Sequence, residues 1–148
     1  MKTVKDIMSK EAVTVTPKDN VYEIAAAMKN NDIGFIPVVE GRKLIGCVTD
    51  RDIVVRGIAE KREGSASVEQ VMSRDMKTVT PDTSVDDCAR LMANNQIRRI
   101  PVVENGDLVG IVAIGDLAIR DRFEDEAGEA LSKISIPDTT QQGNQVLQ

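Results

Sequence analysis

The chain says the same thing twice. Residues 4–56 and 68–120 align at a constant offset of 64 with no gap, and 23 of the 53 aligned pairs are identical. VKDIMSKEAVTVTPKDNV returns as VEQVMSRDMKTVTPDTSV, and NNDIGFIPVVEGRKLIGCV returns as NNQIRRIPVVENGDLVGIV. An ungapped repeat obliges both halves to build the same elements. Two related units can pack about a pseudo-twofold axis, and differences between the copies then mark specialised chemistry. Two copies are too few for a solenoid or propeller. Each half, at about 55 residues, is small for a core of its own. The halves are therefore expected to share one core and to fold as one unit.

Apolar residues make up 41% of the chain and charged residues 29%, which suits a globular core. No apolar run approaches the roughly 18 residues of a membrane span. The start, MKTVKDIM, lacks the long apolar stretch of a secretory signal. A cytoplasmic protein with no membrane partner is expected. There is no histidine, and the two cysteines stand where the other copy has isoleucine: Cys47 against Ile111, Cys88 against Ile24. Both read as small core hydrophobes, and no metal site is expected. Net charge is −5, split as +1 over residues 1–66 (11 basic, 10 acidic) and −6 over 67–148 (8 basic, 14 acidic). Without a basic stripe, and with only Tyr22, Phe35 and Phe123 aromatic, nucleic acid is disfavoured as a partner.

Each repeat reads β-α-β-β-α, an α/β (α+β) pattern. AVTVT (12–16) and MKTVT (76–80) alternate as strands do and end at Pro17 and Pro81. Asn20 with Glu23, and Ser84 with Asp87, signal helix starts. Val21, Ile24, Ala25 and Met28 form one apolar helical face, as do Val85, Cys88, Ala89 and Met92. Two short apolar strands follow in each half, 35–39 with 43–48 and 99–103 with 108–112. They are joined at Gly41 and at Asn105-Gly106, which are hairpin turn signals. A second helix starts near Arg51 and near Asp116. The expected organisation is a first unit over 1–60, a flexible linker over 61–67, a second unit over 68–124, a C-terminal helix over 125–136 and a disordered tail over 137–148.

Catalytic chemistry is poorly supplied. The chain has no phosphate-binding glycine loop, no nucleophile elbow and no metal-ligand pattern, so no enzyme is expected. The distinctive stretch is GCVTDRD (46–52), where Thr49, Asp50 and Asp52 crowd a strand-to-helix junction. Unpaired amides there suit an anion, and Asp52 could accept bonds from a sugar diol. The competing reading is that Thr49 and Asp50 merely cap the helix. The second copy, GIVAIGD (110–116), keeps Asp116 but has Ala113 in place of Thr49. The retained aspartate favours a shared ligand role. In IRRIP (97–101), Arg98 and Arg99 stand against the uncharged Gly34 and Phe35 of IGFIP (33–37). They fit either a surface ion pair or a phosphate clamp.

In order and spacing these motifs resemble the cystathionine β-synthase (CBS) domain, which occurs as tandem pairs called Bateman modules. The resemblance covers about residues 4–120 and is similar to small stand-alone bacterial CBS-pair proteins. It implies two pseudo-symmetric clefts between the repeats that bind adenine nucleotides, with no cofactor required. Carried over, the better nucleotide site uses Thr49, Asp52, Val79, Thr80, Ile97, Arg98, Arg99 and Pro101. A second, weaker site uses Val15, Thr16, Ile33, Gly34, Pro37 and Asp116. The expected function is a regulatory sensor for AMP, ADP or ATP. The alternative is a structural or protein-interaction module with vestigial pockets. A homodimer is expected from the apolar surface of Ile53, Val54, Leu117 and Ile119.

Overall fold

The computed structural model describes residues 2–118. The C-terminal helix, the tail and Ile119 of the sequence reading lie outside the described residues. Helix α1 spans Val4–Ile7, α2 Val21–Asn31, β1 Phe35–Glu40 and β2 Lys43–Thr49. A composite helix follows. Its α-helical turn α3, Asp50–Asp52, runs into a π-turn, Ile53–Gly57, and a 3₁₀ turn, Ile58–Glu60. The second copy supplies α4 (Val85–Asn95), β3 (Arg99–Glu104), β4 (Asp107–Ala113) and α5 (Ile114–Ala118).

The chain divides into two compact units, and their boundaries are not those of the repeat. One holds residues 11–77 with 105–108; the other holds 2–10, 78–104 and 109–118 of the described chain. Each repeat therefore gives its opening segment to the other repeat's unit. Val4 of α1 is fully buried in a core with Val79, Val85, Met92, Ile100, Val102, Val112 and Leu117. Val68, Val71 and Met72 are buried in the other core with Val15, Ile24, Ile36, Val38, Val48 and Ile53. The expectation of one shared core is corrected: there are two cores, each completed by a turn borrowed from the other repeat.

Local chemistry explains the elements. The Asn20 side chain accepts from the Glu23 amide at 2.8 Å while Glu23 accepts from the Asn20 amide at 2.9 Å, so two unpaired donors are satisfied together. Ser84 caps α4 through the Asp87 amide at 3.0 Å. Both helices close on a left-handed residue, Asp32 (φ 53°) and Gln96 (φ 54°). The next amides, of Ile33 and Ile97, reach back to Met28 and Met92 carbonyls, each at 3.0 Å. β1 and β2 pair antiparallel, with a bulge between Val38 and Val39. β3 lies hydrogen-bonded beside β4, and Asn105 and Gly106 both take positive φ in the turn between them (54° and 87°), as a tight hairpin demands.

Two expected features take a different form. The strands expected over 12–16 and 76–80 reduce to single parallel bridges, Val15 to Val38 and Val79 to Val102. The next residue's amide is diverted in each case: Thr16 N–H donates to Asp19 Oδ2 at 2.8 Å, and Thr80 N–H to Thr83 Oγ1 at 3.1 Å. Such local side-chain acceptors compete with a ladder, and the following proline has no amide to offer. The expected flexible linker is bonded to α2. Gly64 and Ala66 carbonyls accept from the Tyr22 and Val21 amides, each at 2.9 Å. These are first-turn amides that need acceptors.

The dimer argument from sequence also changes. Ile53 is 9% exposed and Leu117 is fully buried, so neither offers surface. Val54 (55%) is exposed as expected, and it is joined by Val55 (44%), Ile58 (69%) and Tyr22 (69%).

Both cysteines are buried, as expected of core hydrophobes. Burial pushes the Cys47 thiol up from 9.0 to about 11; the nearby Asp52 charge adds to the rise and Arg56 opposes it. Burial pushes Cys88 up to about 12. A raised thiol keeps its proton in the folded state after the unfolded chain has lost it, so this contribution to stability holds below about pH 9 and fades as pH climbs through 11 to 12.

Two tests follow from the cores and the thiols. A fragment of residues 11–77 retains every residue of its core, whereas the repeat-based fragment 1–66 lacks Val68, Val71 and Met72. At about 1.5–3 kcal/mol per buried side chain, the former is expected to be more stable by about 5 kcal/mol and to unfold cooperatively in urea. Equal stability of the two fragments would contradict the exchanged cores. Thiol titration at pH 8 is expected to find neither cysteine reactive until denaturant is added, with stability falling above about pH 9.

Candidate functional site

The sequence-predicted residues fall into one wiring scheme, built twice. In the unit of residues 11–77, the left-handed turn after α2 delivers Ile33 and Gly34 to the start of β1. The Gly34 carbonyl accepts the Asp50 amide at 3.0 Å, tying that start to the end of β2. The Pro37 carbonyl accepts the Val15 amide at 3.1 Å, and Val39 donates back to Val15 at 2.8 Å. In the other unit the Arg98 carbonyl accepts the Ile114 amide at 2.8 Å, the Pro101 carbonyl accepts the Val79 amide at 3.1 Å, and Val103 donates to Val79 at 2.8 Å.

Each unit therefore gathers one Val-Thr segment, one Ile-x-x-Ile-Pro segment and one aspartate. Val15, Thr16, Ile33, Gly34 and Pro37 share a unit with Thr49 and Asp52. Val79, Thr80, Ile97, Arg98, Arg99 and Pro101 share the other with Asp116. Each expected ligand set draws on both units. Val15, Val79, Pro37 and Pro101 are buried, Thr16 and Thr80 are exposed, and Ile33, Gly34, Ile97, Arg98, Arg99, Thr49, Asp52 and Asp116 are half-buried.

Thr49 and Asp52 form a reciprocal cap. Asp52 Oδ2 accepts the Thr49 amide at 2.9 Å, and Thr49 Oγ1 accepts the Asp52 amide at 3.1 Å. Asp116 Oδ2 accepts the Ala113 amide at 2.8 Å, and Ala113 has no hydroxyl to return the bond. Capping alone thus accounts for an aspartate at both places, which removes the argument that its retention in both copies requires a ligand. The same bonds fix each carboxylate through one oxygen. Among the described residues, Oδ1 of Asp52 makes no hydrogen bond. The negative charge of Asp52 reaches as far as Cys47, whose thiol it helps to hold protonated.

The second asymmetry concerns the cations. Among the described residues, the Arg99 guanidinium has no carboxylate partner; the ion pairs there are Arg74 with Glu69 at 3.1 Å and Arg90 with Asp87 at 3.0 Å. Asp50, placed from sequence at the strand-to-helix junction as a cap, was not assigned to either expected ligand set. A side chain added at Gly34 would meet its carboxylate at 2.9 Å. The available signal was a paired difference at the repeat offset, Gly34 with Asp50 against Arg98 with Ile114. Among the described residues no group of three or more His, Cys, Asp or Glu could hold a metal ion, and no helix is long and apolar enough to cross a membrane.

Comparison with known proteins agrees with this frame. Residues 4–57 and 68–120 each match the CBS domain family. The chain is 45% identical over 135 residues to the CBS domain-containing protein YhcV of Bacillus subtilis, covering 91% of this chain and 96% of that one. Among solved structures it is similar to Hypoxic Response Protein I with two coordinated zinc ions, at 33% identity and a TM-score of 0.72, over 80% of this chain and 98% of that one. It is also similar to the CBS domain pair of protein MJ0100 in complex with 5′-methylthioadenosine and S-adenosyl-L-methionine, at 30% identity and a TM-score of 0.70, over 80% and 94%. With both repeats matched and the mixed helix and antiparallel strands in place, the chain belongs to the CBS domain family as a tandem pair, a regulatory module.

Proposed function

We propose that this CBS pair is a non-enzymatic sensor that binds an adenosine-containing nucleotide, AMP, ADP or ATP, and works as a homodimer in the cytoplasm. The observation that carries the reading is the Asp52 carboxylate. One oxygen is held by the Thr49 amide at 2.9 Å, and the half-buried side chain keeps its other oxygen for a ligand. An acceptor fixed in this way suits the two hydroxyls of a ribose. Arg98 and Arg99 would take phosphate, whose oxygens match guanidinium in charge and geometry. Val79, Thr80, Ile97 and Pro101 would complete the position. Support also comes from the adenosine ligands in the MJ0100 pair, a similar protein. A second position would use Asp116 with Val15, Thr16, Ile33, Gly34 and Pro37, and the loss of a hydroxyl at Ala113 makes it the weaker.

A structural module with vestigial pockets is the rival reading. It draws on the caps, which give both aspartates a purely structural occupation. Nucleotide titration separates the two. Asp52→Ala is expected to weaken AMP roughly ten- to hundredfold, the worth of one charged hydrogen bond. The double change Arg98→Ala with Arg99→Ala should weaken AMP far more than adenosine. No heat on titrating adenosine or AMP into the wild type would favour the rival, and a larger loss in Asp116→Ala than in Asp52→Ala would reverse the ranking of positions.

The homodimer reading rests on Tyr22, Val54, Val55 and Ile58, exposed apolar side chains of one unit. Light scattering at micromolar concentration is expected to give twice the 16.1 kDa chain mass. Val54→Glu with Ile58→Glu should return the mass to one chain, and a wild-type monomer would end this reading.

A further inference from the structure

The two units make the same backbone bond at the same place and differ in the charge beside it. The Asp50 amide donates to the Gly34 carbonyl at 3.0 Å, and the Ile114 amide donates to the Arg98 carbonyl at 2.8 Å. This bond makes neighbours of residues 34 and 50, and equally of 98 and 114. A Cβ built on Gly34 would lie 2.9 Å from Asp50 Oδ2 and 3.2 Å from its Cγ. The carboxylate thus fills the volume that a side chain at 34 would need. In the other unit the equivalent residue is Arg98, and its partner, Ile114, is uncharged and 7% exposed.

Folding does not call for the Gly34 and Asp50 pair. Among the described residues the glycines at positive φ are Gly41 and Gly106, and Gly34 is not one of them. The helix cap is complete with Thr49 and Asp52, and among the described residues Asp50 Oδ1 accepts only from the adjacent Arg51 amide at 2.8 Å. Across this shared bond one repeat therefore pairs Gly34 with Asp50 and the other pairs Arg98 with Ile114, so the charge on the pair is reversed between the repeats.

We propose that Asp50 sets the charge of the ligand accepted at Gly34, so that this position takes an adenosine whose 5′ substituent is neutral or cationic and rejects one bearing phosphate. The proposal rests on the nucleotide reading above, in which Gly34 serves the Asp116 position and the two arginines serve the Asp52 position. A carboxylate at the Gly34 position repels phosphate and attracts an ammonium or sulfonium group; guanidinium does the opposite. The protein then sorts adenosine ligands by charge. The anionic ones go to the arginines, and the others go to the glycine.

The test compares three probes that differ only at the 5′ carbon: adenosine, AMP and 5′-amino-5′-deoxyadenosine. Calorimetry on Asp52→Ala protein, where the other position is weakened, is expected to find the amino probe bound about tenfold more tightly than AMP at low salt. Adding Asp50→Asn keeps the acceptor for the Arg51 amide and should abolish that preference. The exchange Gly34→Arg with Asp50→Ile copies the other repeat and should turn the preference toward AMP; should that protein not fold, Asp50→Asn alone decides. Adenosine binding with the amino-to-AMP ratio unchanged by Asp50→Asn overturns the proposal and leaves the nucleotide reading standing. If adenosine binds neither wild type nor variant, the nucleotide reading fails first and takes the proposal with it.

Discussion

Everything in this molecule depends on how two small cores are closed. A half-chain of this size buries too little apolar surface to stand securely alone. Here the deficit is met by exchange: the short helix around Val4 seals the core of the second repeat, and the turn carrying Val68, Val71 and Met72 seals that of the first. The exchanged turns are anchored by backbone bonds. Val4 donates to Thr83 at 2.8 Å, and Val68 donates to Asp19 at 3.1 Å. The bonds reach the loops just ahead of α4 and α2, so the seal and the start of each long helix are set together. Those helices in turn end on the left-handed residues that aim Ile33 and Ile97 at the strands. The position of the candidate site residues is inherited, step by step, from the seal.

The repeat, the long helices, their caps and the hairpin turns were legible in the sequence. The repeat shows in the constant offset, and the caps and turns are encoded by neighbours within a few residues: Asn20 with Glu23, Ser84 with Asp87, Asn105 with Gly106. The exchange was not legible. An offset between copies says that 4–10 and 68–74 are equivalent, and it is silent on which copy each packs against. The strands expected over 12–16 and 76–80 misled for a different reason. Alternation there is real, but Asp19 and Thr83 capture the amides of Thr16 and Thr80 before a ladder can extend. The linker likewise looked free because its polar residues offer no side-chain signal, whereas its carbonyls do the bonding.

The candidate site was legible in composition more than in arrangement. Thr49 and the two arginines stand out because one copy has them and the other does not, and Asp52 stands out because both copies keep it. Sequence left the cap and the ligand as rival explanations for the aspartates. The geometry makes them compatible, since a cap that uses one carboxylate oxygen leaves the other in place. Asp50 was read from sequence only as a cap, because an acid two residues from another acid at a helix start reads as cap or solvated surface. Only its contact with Gly34, a distance between residues 16 apart in sequence, gives it meaning.

The exchanged segments also govern how the fold responds to dilution. A chain with a single repeat would have to take its missing turn from a second molecule, by reciprocal swapping, and its stability would vary with concentration. Joining two repeats in tandem makes that encounter intramolecular. The donor turn is then present at an effective concentration set by the chain, of order millimolar for a short connection. The short join between the repeats is thus a thermodynamic device: it turns a dimerisation equilibrium into a folding step whose outcome is the same in a dilute solution as in a crowded one.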